Sequence, residues 1–286
     1  MTASPADASH ADSADATHAD APDAFGQLVH LDILGRVATV TLDSPGNRNA
    51  LSSQLVAELT RHLQSAERSG DIRVIVLTHT GNTFCAGADL AEAMEIGMEQ
   101  ATRSLLGLLR AVVRLEKPVI ALVRGHARAG GVGLVGACDF ALVSEQSTFA
   151  FTESLLGLAP AIISLTTRSR LGDRDAARKY LTGVTFDGIE AARSGLVSEA
   201  AAEKSLDARL AQLVADFSKV SPQGLRETKR LLNEGLLRRM DADGDSLVQL
   251  SAQLFASAEA REGITAFRER RLPHWATESD DSPNTR

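Results

Sequence analysis

Two stretches of this sequence join an apolar run to a turn of small residues. "VIVLT" (residues 74–78) leads into "FCAGAD" (84–89), and "VIALV" (119–123) leads towards "HARAGGVGLVGACDF" (126–140). A Gly-Gly pair that opens a short helix leaves free N–H groups at the positive end of that helix, where negative charge is stabilised. Two such turns side by side can each aim one N–H at a common oxygen, which is an oxyanion hole. The second stretch also spells G-x-G-x-x-G from Gly131 to Gly136, with an acid, Glu153, about twenty residues on. A dinucleotide site needs its strand to run directly into the first glycine, then a full crossover helix, then an acid ending the next strand. Here "RGHARAG" separates strand from glycines, and Asp139 already opens another apolar run. The spacing is therefore read as coincidence.

The elements that must carry these turns follow from periodicity. "LVHLDILG" and "VATVTLD", split by Gly35-Arg36, predict a β-hairpin. Leu55, Leu59 and Leu63 fall on one helix face. "VIVLT", "VIALV" and "DFALVSE" read as buried strands, with "GNTFCAGAD" between the first two as a loop. Helical patterns cover about 100–115, 174–182 and 187–194. After Ser205 strand candidates vanish, and helices are expected near 206–218, 222–236 and 243–271. Alternating strands and helices predict a largely parallel, layered α/β core with a helical C-terminal appendage.

The 286 residues carry a net charge of -7, and its location matters. Residues 1–24 contain five Asp and no Lys or Arg, and residues 276–286 sum to -2, so residues 25–275 are neutral. A neutral body gives no electrostatic case for nucleic acid. Residues 1–24 read as a disordered acidic Ala/Asp-rich tail in which His10 and His18 are solvated, and no metal site is expected. No run approaches the ~18 apolar residues of a membrane span. Two cysteines without a secretory signal suggest a reducing cytoplasm.

Taken in order, "NRNALS", "NTFCAGADLAEA", "EKPVIALVRGHARAGGVGLVGACDFALVSEQSTFAFTESLLGLAP", "LTGVTFDGIEAARSGLVSE" and "EAREGITAFRERR" resemble the crotonase superfamily, the enoyl-CoA hydratase/isomerase family, across roughly residues 26–275. The resemblance implies a ββα spiral core over residues 25–204 and a helical oligomerisation region over 205–275, with 276–286 a flexible tail. It implies homotrimers or hexamers, an acyl-CoA substrate, no cofactor beyond the CoA carried by that substrate, and stabilisation of a thioester enolate. By motif position the N–H groups of Ala88 and Gly130 are the oxyanion donors and Glu153 is the acid/base. A side chain on Gly130 would crowd the thioester. Arg48, Ala86 and Leu90 map near the adenine and pantetheine of CoA. Phe267 and Arg270 match positions that reach a neighbouring subunit's CoA.

Two positions depart from the pattern. Family hydratases hold water between two glutamates, and where the first is expected this chain has Gly133; only Glu153 remains. One carboxylate is enough to move a double bond from C3–C4 to C2–C3, whereas hydration loses one anchor for its water. The glycine-rich turn of many relatives is "PAIIS" (160–164) here, whose bulk should reshape the acyl pocket. Asp89, Glu92, Asp139 and Glu145 are read as caps or solvated charges, and His126 as a packed loop residue, with Arg128 beside it. The leading expectation is enoyl-CoA hydratase/isomerase chemistry with an isomerase bias. The alternatives are an acyl-CoA-binding protein with vestigial catalysis, or a hydrolase or decarboxylase on the same scaffold.

Overall fold

A computed structural model describes residues 26–276; both tails anticipated above lie largely outside the described residues. β1 (Val29–Leu34) and β2 (Val37–Leu42) form the expected hairpin, turning at Gly35 with φ +58°. Helix α1 (Ser53–Arg68) follows, capped by the Ser52 side chain and burying Leu55, Leu59 and Leu63. Three pairs of strands come next, each a long strand and then a short one: β3 (Val74–His79) with β4 (Thr83–Cys85), β5 (Val119–Val123) with β6 (His126–Arg128), and β7 (Phe140–Ser144) with β8 (Thr148–Ala150). Helices α2 (Leu90–Ile96) and α3 (Met98–Arg114) link the first pair to the second, and α4 (Gly130–Ala137) links the second to the third. After β8 the chain passes through a 3-10 turn (Glu153–Leu156), α5 (Ala161–Thr167), α6 (Asp173–Thr182), β9 (Phe186–Asp187), α7 (Gly188–Arg193) and β10 (Glu199–Ala201).

The long strands build a six-stranded sheet in the order β1-β2-β3-β5-β7-β10, parallel except for the hairpin. The short strands build a second sheet, β4-β6-β8-β9, in which β4, β6 and β8 run parallel. This is the α/β ββα spiral that was expected. "GNTFCAGAD" and "RGHARAG" are not wholly loops, however, because each contains a strand of three residues. Side-chain alternation cannot declare itself over so short a run.

Alternate residues of β3 point to opposite faces of the large sheet. Ile75 and Leu77 join the main core, whereas Val74 and Val76 pack with Leu206 of α8 (Leu206–Ser218) on the other side. The helical region also differs from expectation. Helix α9 runs unbroken from Pro222 to Phe255, and α10 occupies Ala258–Glu269. The break lies at Ser257, which caps α10, and not near 237–242. Gly244 stays helical because α9 lies against α3 there: a Cβ at Gly244 would sit 2.8 Å from Leu106 Cδ2. Leu236, Met240 and Val248 of α9 are buried in the main core, so this helix closes the core and is no appendage. Lys229 of α9 pairs with Asp139 at 2.7 Å, and Asn233 Nδ2 donates to Val113 O and Asp139 Oδ1, fastening α9 to the sheet. Asp139 is thus an anchor. Among the described residues no helix is long and apolar enough to cross a membrane.

Candidate active site

The small sheet positions the chemistry. The 86–89 turn leaves the C-terminal end of β4, Gly130 follows β6, and Glu153 follows β8. Three neighbouring parallel strands therefore deliver three groups to one edge, and ligands of parallel α/β sheets sit at the carboxyl ends of the strands. A cavity of about 560 Å³ opens there. Ala88, Gly130, Glu153, Arg48, Ala86, Leu90 and Phe267 all line it. Arg270 does not: it is the left-handed C-cap of α10, with φ 56°, and the neighbouring Arg268 faces the cavity in its place.

The two small-residue turns touch. A Cβ on Gly87, whose φ is +94°, would lie 3.1 Å from both Gly130 N and the Ala129 methyl. Leu51 N donates to Gly87 O at 2.8 Å, and Ala86 N donates to Arg48 O at 3.0 Å, so the "NRNAL" segment holds the first turn. Asn49 is fully buried and ties that segment to β4, donating through Nδ2 to Thr80 O and Thr83 O and accepting Ser44 N–H on Oδ1. Among the described residues no acceptor takes the N–H of Ala88 or of Gly130. Gly131 is more constrained than Gly130, because a Cβ there would collide with the Cys85 carbonyl.

Ala129, just before α4, has φ 45° and ψ -116°, which is glycine territory. Such strain costs about 1–3 kcal/mol. Ala129→Gly should therefore raise the unfolding free energy by on the order of 1 kcal/mol, and the denaturant midpoint with it, after the ~0.4–1 kcal/mol loss from a looser unfolded chain. An unchanged or lower midpoint in equilibrium unfolding would show that the strain is absent.

Glu153 starts the 3-10 turn that Gly157 ends with φ +71°. As a whole the residue is only half-buried, yet its Oε2 is sealed from solvent without a hydrogen-bond partner. Burial pushes the carboxyl up to about 7. The turn is seated by α10: a Cβ on Gly157 would lie 2.8 Å from the Glu259 carbonyl carbon, and one on Gly263 would lie 2.6 Å from Leu156 main chain. Nearby, Tyr180 donates to or accepts from Thr167 Oγ1 at 2.6 Å, and burial pushes its phenol up to about 12.

The remaining acids have other duties. Asp89 caps α2, and Glu92 accepts the N–H of Ser53 at the start of α1. His126 is held by Thr148, whose N–H and hydroxyl both contact Nδ1, and the Arg128 guanidinium donates to Thr148 O and Oγ1. The rest of the cavity wall is largely apolar: Met94, Met98 and Leu105 come from α2 and α3, and Leu254 and Phe255 from the end of α9. Sequence reasoning missed the α9 contribution, because its helical break was placed too early. It also missed Gly157 and Gly263, whose closeness only the packing reveals. Among the described residues no cluster of three or more His, Cys, Asp or Glu could hold a metal ion.

Repeated strand pairs that feed three loops into one largely apolar cavity, lined by Ala88, Gly130 and Glu153, are the architecture of the crotonase class. The model of the enoyl-CoA hydratase/isomerase family matches residues 32–278. The mevalonyl-coenzyme A hydratase of Aspergillus fumigatus is 34% identical over 247 residues, covering 84% of this chain and 91% of that protein. The 2,3-dehydroadipyl-CoA hydratase of Escherichia coli is 31% identical over 241 residues, covering 83% and 94%. The crystal structure of an enoyl-CoA hydratase from Mycobacterium avium is 49% identical, covers 88% of this chain and 100% of that one, and superposes with a TM-score of 0.82. The chain belongs to the enoyl-CoA hydratase/isomerase family, whose chemistry acts on acyl-CoA thioesters.

Proposed function

We infer that this enzyme works with a single carboxylate and moves the double bond of a 3-enoyl-CoA to C2–C3. Ionised Glu153 takes the proton from C2, and the electron pair spreads from C2 onto the thioester oxygen. The N–H groups of Ala88 and Gly130 stabilise that oxygen. The protonated Glu153 then returns the proton to C4, leaving a 2-enoyl-CoA. The observation that carries this reading is the orphaned, solvent-sealed Glu153 Oε2 in a largely apolar cavity, whose other lining acid, Asp89, caps α2; the Glu153 carboxyl, pushed up to about 7, can take and return a proton. Arg48, Ala86, Leu90 and Phe267 line the route for CoA, and Arg270 would reach the CoA of a second copy in a trimer or hexamer. Exposed Leu231, Leu232 and Leu272 support such an assembly. Free, buried Cys85 and Cys138 suit the cytoplasm.

A second reading is hydration by Glu153 alone, favoured by the two curated relatives named above, both hydratases. Incubation in heavy water with a 2-enoyl-CoA and with a 3-enoyl-CoA, beside Glu153→Gln, separates the readings: mass reports added water, and the ultraviolet absorbance of the conjugated thioester reports the shifted double bond. A shifted double bond without added water is expected. A Glu153-dependent product one water heavier would replace the first reading with the second, and silence on both substrates would point to binding alone or to another thioester chemistry.

The pH dependence has a definite sign. Glu153 must be ionised in the free enzyme to accept a proton, so kcat/KM should rise through a pH of about 7 and level off above it. A profile flat from pH 5 to 9 would remove Glu153 as the base.

A further inference from the structure

We propose that Ile163 decides the outcome of the reaction by filling the side-chain space at position 133 and denying water a place there. The inference rests on the single-carboxylate reading and assigns a residue to its selectivity.

Gly133 lies on α4 and faces α5. A Cβ built on it would sit 2.5 Å from Ile163 Cγ2, 2.8 Å from Ile163 Cβ and 3.4 Å from Ile163 Cα. The first two contacts are impossible for a real side chain, and the third is ordinary packing. Ile163 cannot swing aside, because a β-branched residue in a helix has essentially one rotamer. Nor can the helices part easily: Thr166 Oγ1 donates to Gly133 O at 2.8 Å, and one turn on, a Cβ at Gly136 would meet Thr167 Cγ2 at 2.8 Å. Ile163 and Ile162 face the cavity, and Gly133 does not line it. The missing acid and the bulky "PAIIS" segment are therefore one feature. Where a second carboxylate would bind water, a hydrocarbon branch stands. The branch fills that space, so no room for a water is left there. Proton return to C4 then competes with little else.

The geometry makes an atom-level demand on variants. Gly133→Glu alone must clash. Gly133→Glu with Ile163→Ala still clashes, because an alanine keeps the Cβ at 2.8 Å. Gly133→Glu with Ile163→Gly leaves only the Cα at 3.4 Å and should fit. The experiment compares these three with the wild type, measuring the ratio of water-added to double-bond-shifted product, together with thermal unfolding and acyl-CoA binding. The Gly133→Glu/Ile163→Gly protein is expected to raise that ratio by ~100-fold, the usual worth of a positioned acid or base, and the alanine pair is expected to leave it unchanged. A folded, ligand-binding glycine pair with the wild-type ratio would overturn the proposal.

Ile163→Ala on its own supplies a test that needs no refitted acid. In heavy water it should place several-fold more solvent deuterium at C4 of the shifted product, because the lost branch admits water. Unchanged deuterium would overturn the proposal. Failure of the single-carboxylate reading looks different: wild-type protein would then give no Glu153-dependent shift at all.

Discussion

Glu153→Gln is expected to slow the double-bond shift by roughly 100 to 10,000-fold and to make the protein more stable above pH 7. The two effects share one cause. The native carboxyl titrates near 7 because it is desolvated, whereas in the unfolded chain it titrates near 4.5. A raised pKa means that the contribution of the protonated group is fully present below about 4.5 and is lost as the pH rises through about 7. Glutamine keeps the shape and never ionises, so it escapes that loss. The gain over wild type is at most about 3 kcal/mol above pH 7 and vanishes below 4.5. Denaturant curves at pH 4 and pH 8, alongside turnover, check both halves. An inactive variant with no gain at pH 8 would mean that the carboxyl is well solvated.

The second large effect belongs to a glycine with no direct role in the chemistry. Gly131→Ala is expected to cost ~100 to 1,000-fold in kcat. Its new Cβ would collide with the Cys85 carbonyl and come within 2.8 Å of Cys85 Cβ, both on β4. Neither neighbour is a flexible tip, so β4 and α4 must separate. Ala88 lies three residues beyond Cys85, and Gly130 is adjacent to the substitution, so the two N–H groups lose their common focus. Losing one such donor typically costs about 2.7–4 kcal/mol in the transition state. Gly130→Ala is the comparison: in the free protein its Cβ meets Leu51 Cδ1 at 3.2 Å and Gly87 Cα at 3.3 Å, tight contacts that a shift of a few tenths of an ångström relieves. Turnover and thermal midpoints of both variants test the contrast, and a fully active Gly131→Ala protein would refute it.

Much of this architecture is legible in the chain. Long strands announce themselves as apolar runs, α1 by its leucine spacing, and the hairpin by Gly35. The short strands β4, β6 and β8 do not, since three residues carry no period, although they bring the three chemical elements together. The gap expected between residues 236 and 243 is absent, because Leu236, Met240 and Val248 are buried in the main core and keep α9 continuous. At the site, motif order singled out Glu153, Ala88 and Gly130, and these three share one cavity. The bulk of Ile163 is visible in the sequence. Its direction, towards Gly133, is not, because that depends on how α5 is docked by Thr166.

The clasp of α10 on the Glu153 turn has a consequence for the order in which the enzyme comes into being. Gly157 and Gly263 allow a near-contact between backbones more than a hundred residues apart in sequence. On the ribosome, the sheet strands and both N–H donors are made long before α10 emerges. A nascent chain that has reached α9 already contains Ala88, Gly130 and Glu153 but lacks the helix against which the Glu153 turn is packed. The same holds for a mature chain clipped after Phe255. On the single-carboxylate reading such a molecule is expected to bind a thioester and to transform it slowly, which makes the last helix the piece whose arrival completes the site.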